Sequence, residues 1–96
     1  MSLTKPAKRA LIAEAHHLHP LIIIGNQGLT KAVAAETDRA LFDHELIKVR
    51  LPGSEDKANK ALIAEELAQQ VNAECLKIIG NIFILYRKSQ KKVGKK

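Results

Sequence analysis

Apolar residues recur along this chain in two rhythms. From Thr4 to Leu18 they fall at Ala7, Leu11, Ala15 and Leu18, the spacing that lines one side of a helix. Thr4 supplies a hydroxyl cap, and Pro6 stands in the first turn, where its missing N–H costs nothing. Pro20 is expected to stop this helix, because proline pushes the preceding residue out of the helical region. Leu21–Ile24 is short, β-branched and closed by Gly25, so it reads as a buried strand. A polar loop, Gly25-Asn26-Gln27-Gly28, leads to Thr30, the predicted cap of a second helix with Val33, Ala34, Thr37 and Leu41 inside. Then the rhythm changes to alternation. Ile47, Val49 and Leu51 share one face, and Leu46, Lys48 and Arg50 share the other. Pro52-Gly53-Ser54 turns the chain, and Ser54 is the expected cap of a third helix, with Glu55 and Asp56 in its first turn. Ile63, Ala64, Leu67, Ala68 and Val71 form that helix's apolar stripe. Glu74–Ile79 and Ile82–Arg87 flank Gly80-Asn81, a two-residue hairpin turn.

The order is α-β-α-β-α-β-β, which predicts a single α/β domain with a four-stranded mixed sheet packed with helices. The two strand–helix–strand units should be parallel, and the last strand antiparallel to the third. A tight hairpin sets Ile79 against Ile82, Ile78 against Phe83, Leu76 against Leu85 and Glu74 against Arg87. If the apolar faces meet the helices, Lys48, Arg50 and Lys77 gather on the other face.

Composition narrows the class. Ninety-six residues make one domain with one real core. A lone Cys75 excludes an internal disulfide and makes a reducing cytoplasm the default. No apolar run approaches the roughly 20 residues of a membrane span, and the N-terminus carries no signal-type apolar run. The net charge is +6, but it is unevenly placed. Through residue 86 cations and carboxylates balance, and the whole excess lies in residues 87–96. That run reads either as a solubility tail or as an arm that tethers nucleic acid.

The candidate chemistry centres on the glycine loop. It joins a strand end to a helix start, where glycines permit positive φ and close backbone approach. The N–H groups and dipole of the following helix favour an anion there, and Lys31 adds a cation beside them. A phosphodiester backbone fits this arrangement. Two glycines four apart also serve as plain turn punctuation, so the loop alone decides nothing. It lacks the Gly-Lys-Ser/Thr ending of a nucleotide-hydrolase loop and the third glycine of a dinucleotide fingerprint. His16, His17, His19 and His44 have no ligand spacing for zinc, and no metal or cofactor is expected. Cys75 has no positioned base, so no catalytic residue is assigned. Phe42, Phe83 and Tyr86 are too few for a base-stacking platform, so any nucleic-acid partner would be held by its backbone and shape.

Set together, His16-His17-Leu18-His19-Pro20, Ile24-Gly25-Asn26-Gln27-Gly28-Leu29-Thr30, His44-Glu45-Leu46-Ile47-Lys48-Val49, Ile79-Gly80-Asn81 and Leu85-Tyr86-Arg87 form an ordered series. That series resembles the CRM family of RNA-splicing and ribosome-maturation domains, in its stand-alone bacterial YhbY-type form, over about residues 3–88. The resemblance implies a fold similar to the C-terminal domain of translation initiation factor three. It also implies a non-enzymatic, structured-RNA-binding protein associated with precursors of the large ribosomal subunit, with residues 1–88 as the domain and 89–96 as a basic tail. Gly25, Asn26, Gln27, Gly28 and Lys31 are the expected RNA contacts at the loop. Lys48 and Arg50 would add charge from the sheet, and Lys5, Lys8 and Arg9 would do so if the first helix lies beside the loop. Arg87 would bind RNA or pair with Glu74. The rival readings are a DNA-binding architectural protein, a protein-interaction adaptor on the ribosome, and a small enzyme using Cys75 or the histidines.

Overall fold

The computed structural model describes residues 3–25, 27–51, 53 and 56–88. Among them run α1 (Lys5–Ala15), β1 (Ile22–Ile23), α2 (Lys31–His44), β2 (Leu46–Arg50), α3 (Lys57–Gln70), β3 (Glu74–Ile79) and β4 (Ile82–Tyr86), in the expected order. Side-chain caps start each helix. Thr4 Oγ1 accepts from the Ala7 N–H at 3.2 Å, and Thr30 Oγ1 from the Val33 N–H at 3.1 Å. For α3 the cap is Asp56, whose Oδ1 accepts from the Asn59 N–H at 2.8 Å. This corrects the expectation of Ser54, which lies outside the described residues: Asp56 stands directly before the first helical residue and brings a carboxylate to the positive end of the dipole. Helix α1 stops at Ala15, before Pro20 acts. There the N–H groups of His16 and His17 tighten back onto Ala13 and Glu14, both at 3.2 Å.

The sheet order is β1-β2-β4-β3. β1 pairs parallel with β2, while β4 is antiparallel to both β2 and β3. β2 and β3 therefore run the same way but are not neighbours; β4 separates them. Helices cover both faces. On one, Leu41 of α2 and Ala64, Leu67 and Ala68 of α3 pack with Ile22, Ile24, Ile47, Val49, Phe83 and Leu85. On the other, α1 sets Ala15, Leu11 and Ile12 against Leu46, Leu76 and Ile84. Each fully buried Leu, Ile or Phe here contributes about 1.5–3 kcal/mol by leaving water.

Two sequence expectations change. The expected strand Leu21–Ile24 shortens to β1 at Ile22–Ile23 and is only half buried: Ile22, with Ile24 just beyond the strand, faces the α2–α3 side, while Ile23 and the preceding Leu21 are exposed. The strand lies at the sheet edge, and α1 does not reach across it. A register shift between Cys75 and Lys77 also alters β3. Ile79 opposes Ile82 and Ile78 opposes Phe83, as expected, but Cys75 opposes Leu85 and Glu74 opposes Tyr86. The extra residue is Leu76, which the bulge turns into the α1 cluster.

Candidate nucleic-acid interface

Every strand–helix connection built on a parallel strand delivers its helix N-terminus to the carboxyl end of the sheet, where open α/β sheets bind ligands. Here that end collects the glycine loop, the starts of α2 and α3, and the β3–β4 turn. β1 hands over to the loop at Ile24, whose N–H donates to the Arg50 carbonyl at 2.8 Å. The loop then closes on itself, Gly28 N–H to the Gly25 carbonyl at 3.0 Å. Gly28 has φ 77°, a conformation that favours glycine, whereas Gly25 has no positive φ. At both positions a Cβ would meet nothing within 4 Å, so each glycine leaves open space beside its backbone. Gln27 is exposed, and Asn26 lies outside the described residues. The Thr30 hydroxyl takes the Val33 N–H, leaving the Lys31 and Ala32 N–H groups as first-turn donors with no intrahelical acceptor. Lys31 itself is exposed beside them.

Sheet cations follow the expected face. Lys48 opposes Ile84, which opposes Lys77, and Arg50 opposes Ile82, so all three cations point to the α1 side. They are not equally available. Lys48 Nζ donates to the Leu18 carbonyl at 3.1 Å and is half buried, while Arg50 and Lys77 are exposed.

The remaining sequence candidates stand elsewhere. Arg87 does not meet Glu74. Its Nη1 donates to Asp38 Oδ1 at 2.6 Å and to the Val71 carbonyl at 2.8 Å, and its Nη2 donates to the Asp38 carbonyl at 3.0 Å. With the side chain 12% exposed, the guanidinium ties the end of β4 to α2 and to the C-cap of α3. Lys8 lies 3.8 Å from Glu74, at the start of β3 and so at the end of the sheet away from the loop. Helix α1 thus holds Lys8 at that corner, with Lys5 and Arg9 exposed in the same first turns. His19 and His44 border a hollow of about 230 Å³ with Leu18, Leu21, Leu46 and Ile47. Among the described residues no three His, Cys, Asp or Glu side chains lie close enough to hold a metal ion. Burial, with Glu65 nearby, pushes the Cys75 thiol up to about 11, so it stays protonated at neutral pH.

Sequence reasoning missed Lys57 and Lys60 in the first turn of α3. Lys60 Nζ donates to the Gly80 carbonyl at 3.3 Å, across the hairpin turn. The topology held the missing signal, because both parallel strands feed helices that start at this end.

Comparison with known proteins agrees with the fold. A probable RNA-binding protein of Pseudomonas aeruginosa is 42% identical over 91 residues, covering 95% of this chain and 86% of that protein. An RNA-binding protein of Haemophilus influenzae is 40% identical over 89 residues, covering 93% and 89%. The solution structure of a hypothetical Staphylococcus aureus protein, described as a candidate RNA binder, superposes with a TM-score of 0.81 at 31% identity over 94% of this chain and 93% of that one. The glycine loop, the order of the elements and the hairpin all lie within residues 3–87, the span matched by the CRS1 / YhbY (CRM) domain profile, and the chain is a member of that family.

Proposed function

We propose that this protein binds structured RNA in precursors of the large ribosomal subunit, in the cytoplasm, and assists their assembly without catalysing a reaction. One observation carries the reading: the open backbone at Gly25 and Gly28, the first-turn donors of α2 and the cations Lys31, Arg50, Lys57 and Lys60 meet at one end of the sheet. That end suits a run of phosphates. The relatives named for RNA binding support the class of partner. The protonated Cys75 thiol argues against a cysteine nucleophile.

Gly25→Val is the discriminating variant. Gly25 has no positive φ and open space at Cβ, so the fold tolerates a side chain while the loop's approach to a phosphate is blocked. The expected result is roughly tenfold weaker binding to structured RNA, about 1.4 kcal/mol, with an unchanged melting temperature. Unchanged affinity would remove the loop from the interface. If four to six phosphates are neutralised, the wild type should show a log–log salt slope of roughly −3 to −5. Competition by duplex DNA at equal salt would favour the DNA-binding reading. Crosslinking in cells that recovers no large-subunit precursor RNA would remove the proposed partner.

A further inference from the structure

One row of the sheet at the loop end carries no cover. Ile23 opposes Arg50, Arg50 opposes Ile82, and Ile82 opposes Ile79, so the row crosses all four strands without a break. Residues paired in register point to the same side. Their chain neighbours Ile22, Ile24, Val49 and Phe83 are buried with α2 and α3, so the row faces the α1 side. Helix α1 covers Leu46, Leu76, Ile84 and Tyr86 and stops short of it. Ile23 is 66% exposed and Ile79 42% exposed, and Arg50 is exposed between them. Leu21, just before β1 and also exposed, extends the apolar strip.

We propose that this row seats unpaired bases of the RNA whose phosphates lie at the Gly25–Gly28 loop, an inference that rests on the RNA reading above. Three features select that occupant. The row begins two residues before Gly25, so one strand of RNA can touch both. Neither this row nor the adjacent Lys48–Ile84–Lys77 row contains a carboxylate, so the face complements a polyanion. Five side chains offer on the order of a few hundred Å², well below the roughly 800 Å² per partner of a standard protein interface. Isoleucines gain nothing from phosphates but shed water against the faces and edges of bases. Those bases must be unpaired, because an A-form duplex keeps base faces stacked and its deep groove closed. The aliphatic row thus supplies the apolar contact that three scattered aromatic residues do not.

The test uses the full chain with two fluorescein-labelled RNAs, a hairpin with a long unpaired loop and a blunt duplex of equal phosphate count. Ile23→Ala/Ile79→Ala should bind the hairpin about tenfold more weakly and the duplex as the wild type does, with the salt slope unchanged because no ion contact is lost. Arg50→Gln should make the slope shallower by about one. Equal melting curves check that these exposed changes leave the fold intact. Photocrosslinking the unmodified protein to a hairpin carrying 4-thiouridine in its loop should label residues 21–24 and 78–82. Double-variant affinities equal to the wild type, an equal loss on both RNAs, or adducts confined to the glycine loop and α2 would overturn the row while leaving the RNA reading in place. A wild-type chain that binds neither RNA would overturn both. Self-association that the double variant abolishes, with RNA affinity intact, would assign the row to a second copy and overturn the proposal.

Discussion

Arg87 and the two loop glycines show how a residue's neighbours decide its role. Arg87 resembles a surface cation in sequence, yet its guanidinium holds the Asp38 side chain and the carbonyls of Asp38 and Val71. Removing it leaves the buried Val71 carbonyl unpaired and frees the end of β4. Arg87→Ala is expected to cost about 2 kcal/mol, discounted because Asp38 is 61% exposed, and to lower the melting temperature by roughly 10 °C. RNA affinity of the folded protein should hold, and a variant that melts normally but binds weakly would return Arg87 to the interface. Gly28 and Gly25 separate in the same way. Gly28→Ala forces a Cβ onto a φ of 77° and should cost about 1–2 kcal/mol, whereas Gly25→Ala should be near neutral in thermal denaturation. Equal destabilisation by the two would contradict this division of the loop.

Element boundaries follow local chemistry where that chemistry is close in sequence. The caps Thr4 and Thr30 and the Gly80 turn were legible because each needs only a few adjacent residues. Asp56 is visible in the sequence as an acid at the helix start, but only the structure sets it before the first helical residue and not inside the first turn. Asp56→Ala should cost about 1 kcal/mol and Asp56→Asn much less, read from denaturant midpoints; equal losses would deny the cap its hydrogen-bonding role. The bulge at Leu76 was not legible, since Glu74–Ile79 gives no glycine or other local sign of an extra residue. Its consequence is that Cys75, opposite Leu85, packs at the margin of the α2–α3 core. The thiol is raised from 9.0 to about 11 there, first by burial and then by Glu65. Between those pH values the unfolded chain gives up the thiol proton and the native chain keeps it. The Cys75 contribution is therefore complete below about pH 9 and is lost as pH rises towards 11. Comparing pH-dependent melting of wild type and Cys75→Ser isolates this part, and identical slopes across the window would contradict the burial argument.

At the scale of the whole molecule, chain order was readable but strand order was not. Placing β4 between β2 and β3 depends on contacts far apart in sequence, such as Ile47 with Leu85. That placement puts the loop, two helix starts and the open Ile23–Ile79 row at one end. It also leaves the far end to internal pairing, such as Lys8 with Glu74. On the proposed reading, a domain whose charges balance through residue 86 owes its RNA affinity to where its cations stand, while the lysines of residues 88–96 act through number. The structure of the tail lies outside the described residues, but its electrostatic share is measurable. Deleting residues 89–96 removes Lys91, Lys92, Lys95 and Lys96. The log–log salt slope should become shallower by up to roughly 3, and binding to any RNA should weaken together. The roughly tenfold gap between wild type and Gly25→Val should survive the deletion, because it arises from backbone approach at the loop. Salt titrations of the four proteins, full-length and truncated, each with Gly25 or Val at that position, decide between the two sources. If truncation erased the gap, the tail would carry the recognition and the loop would be a turn.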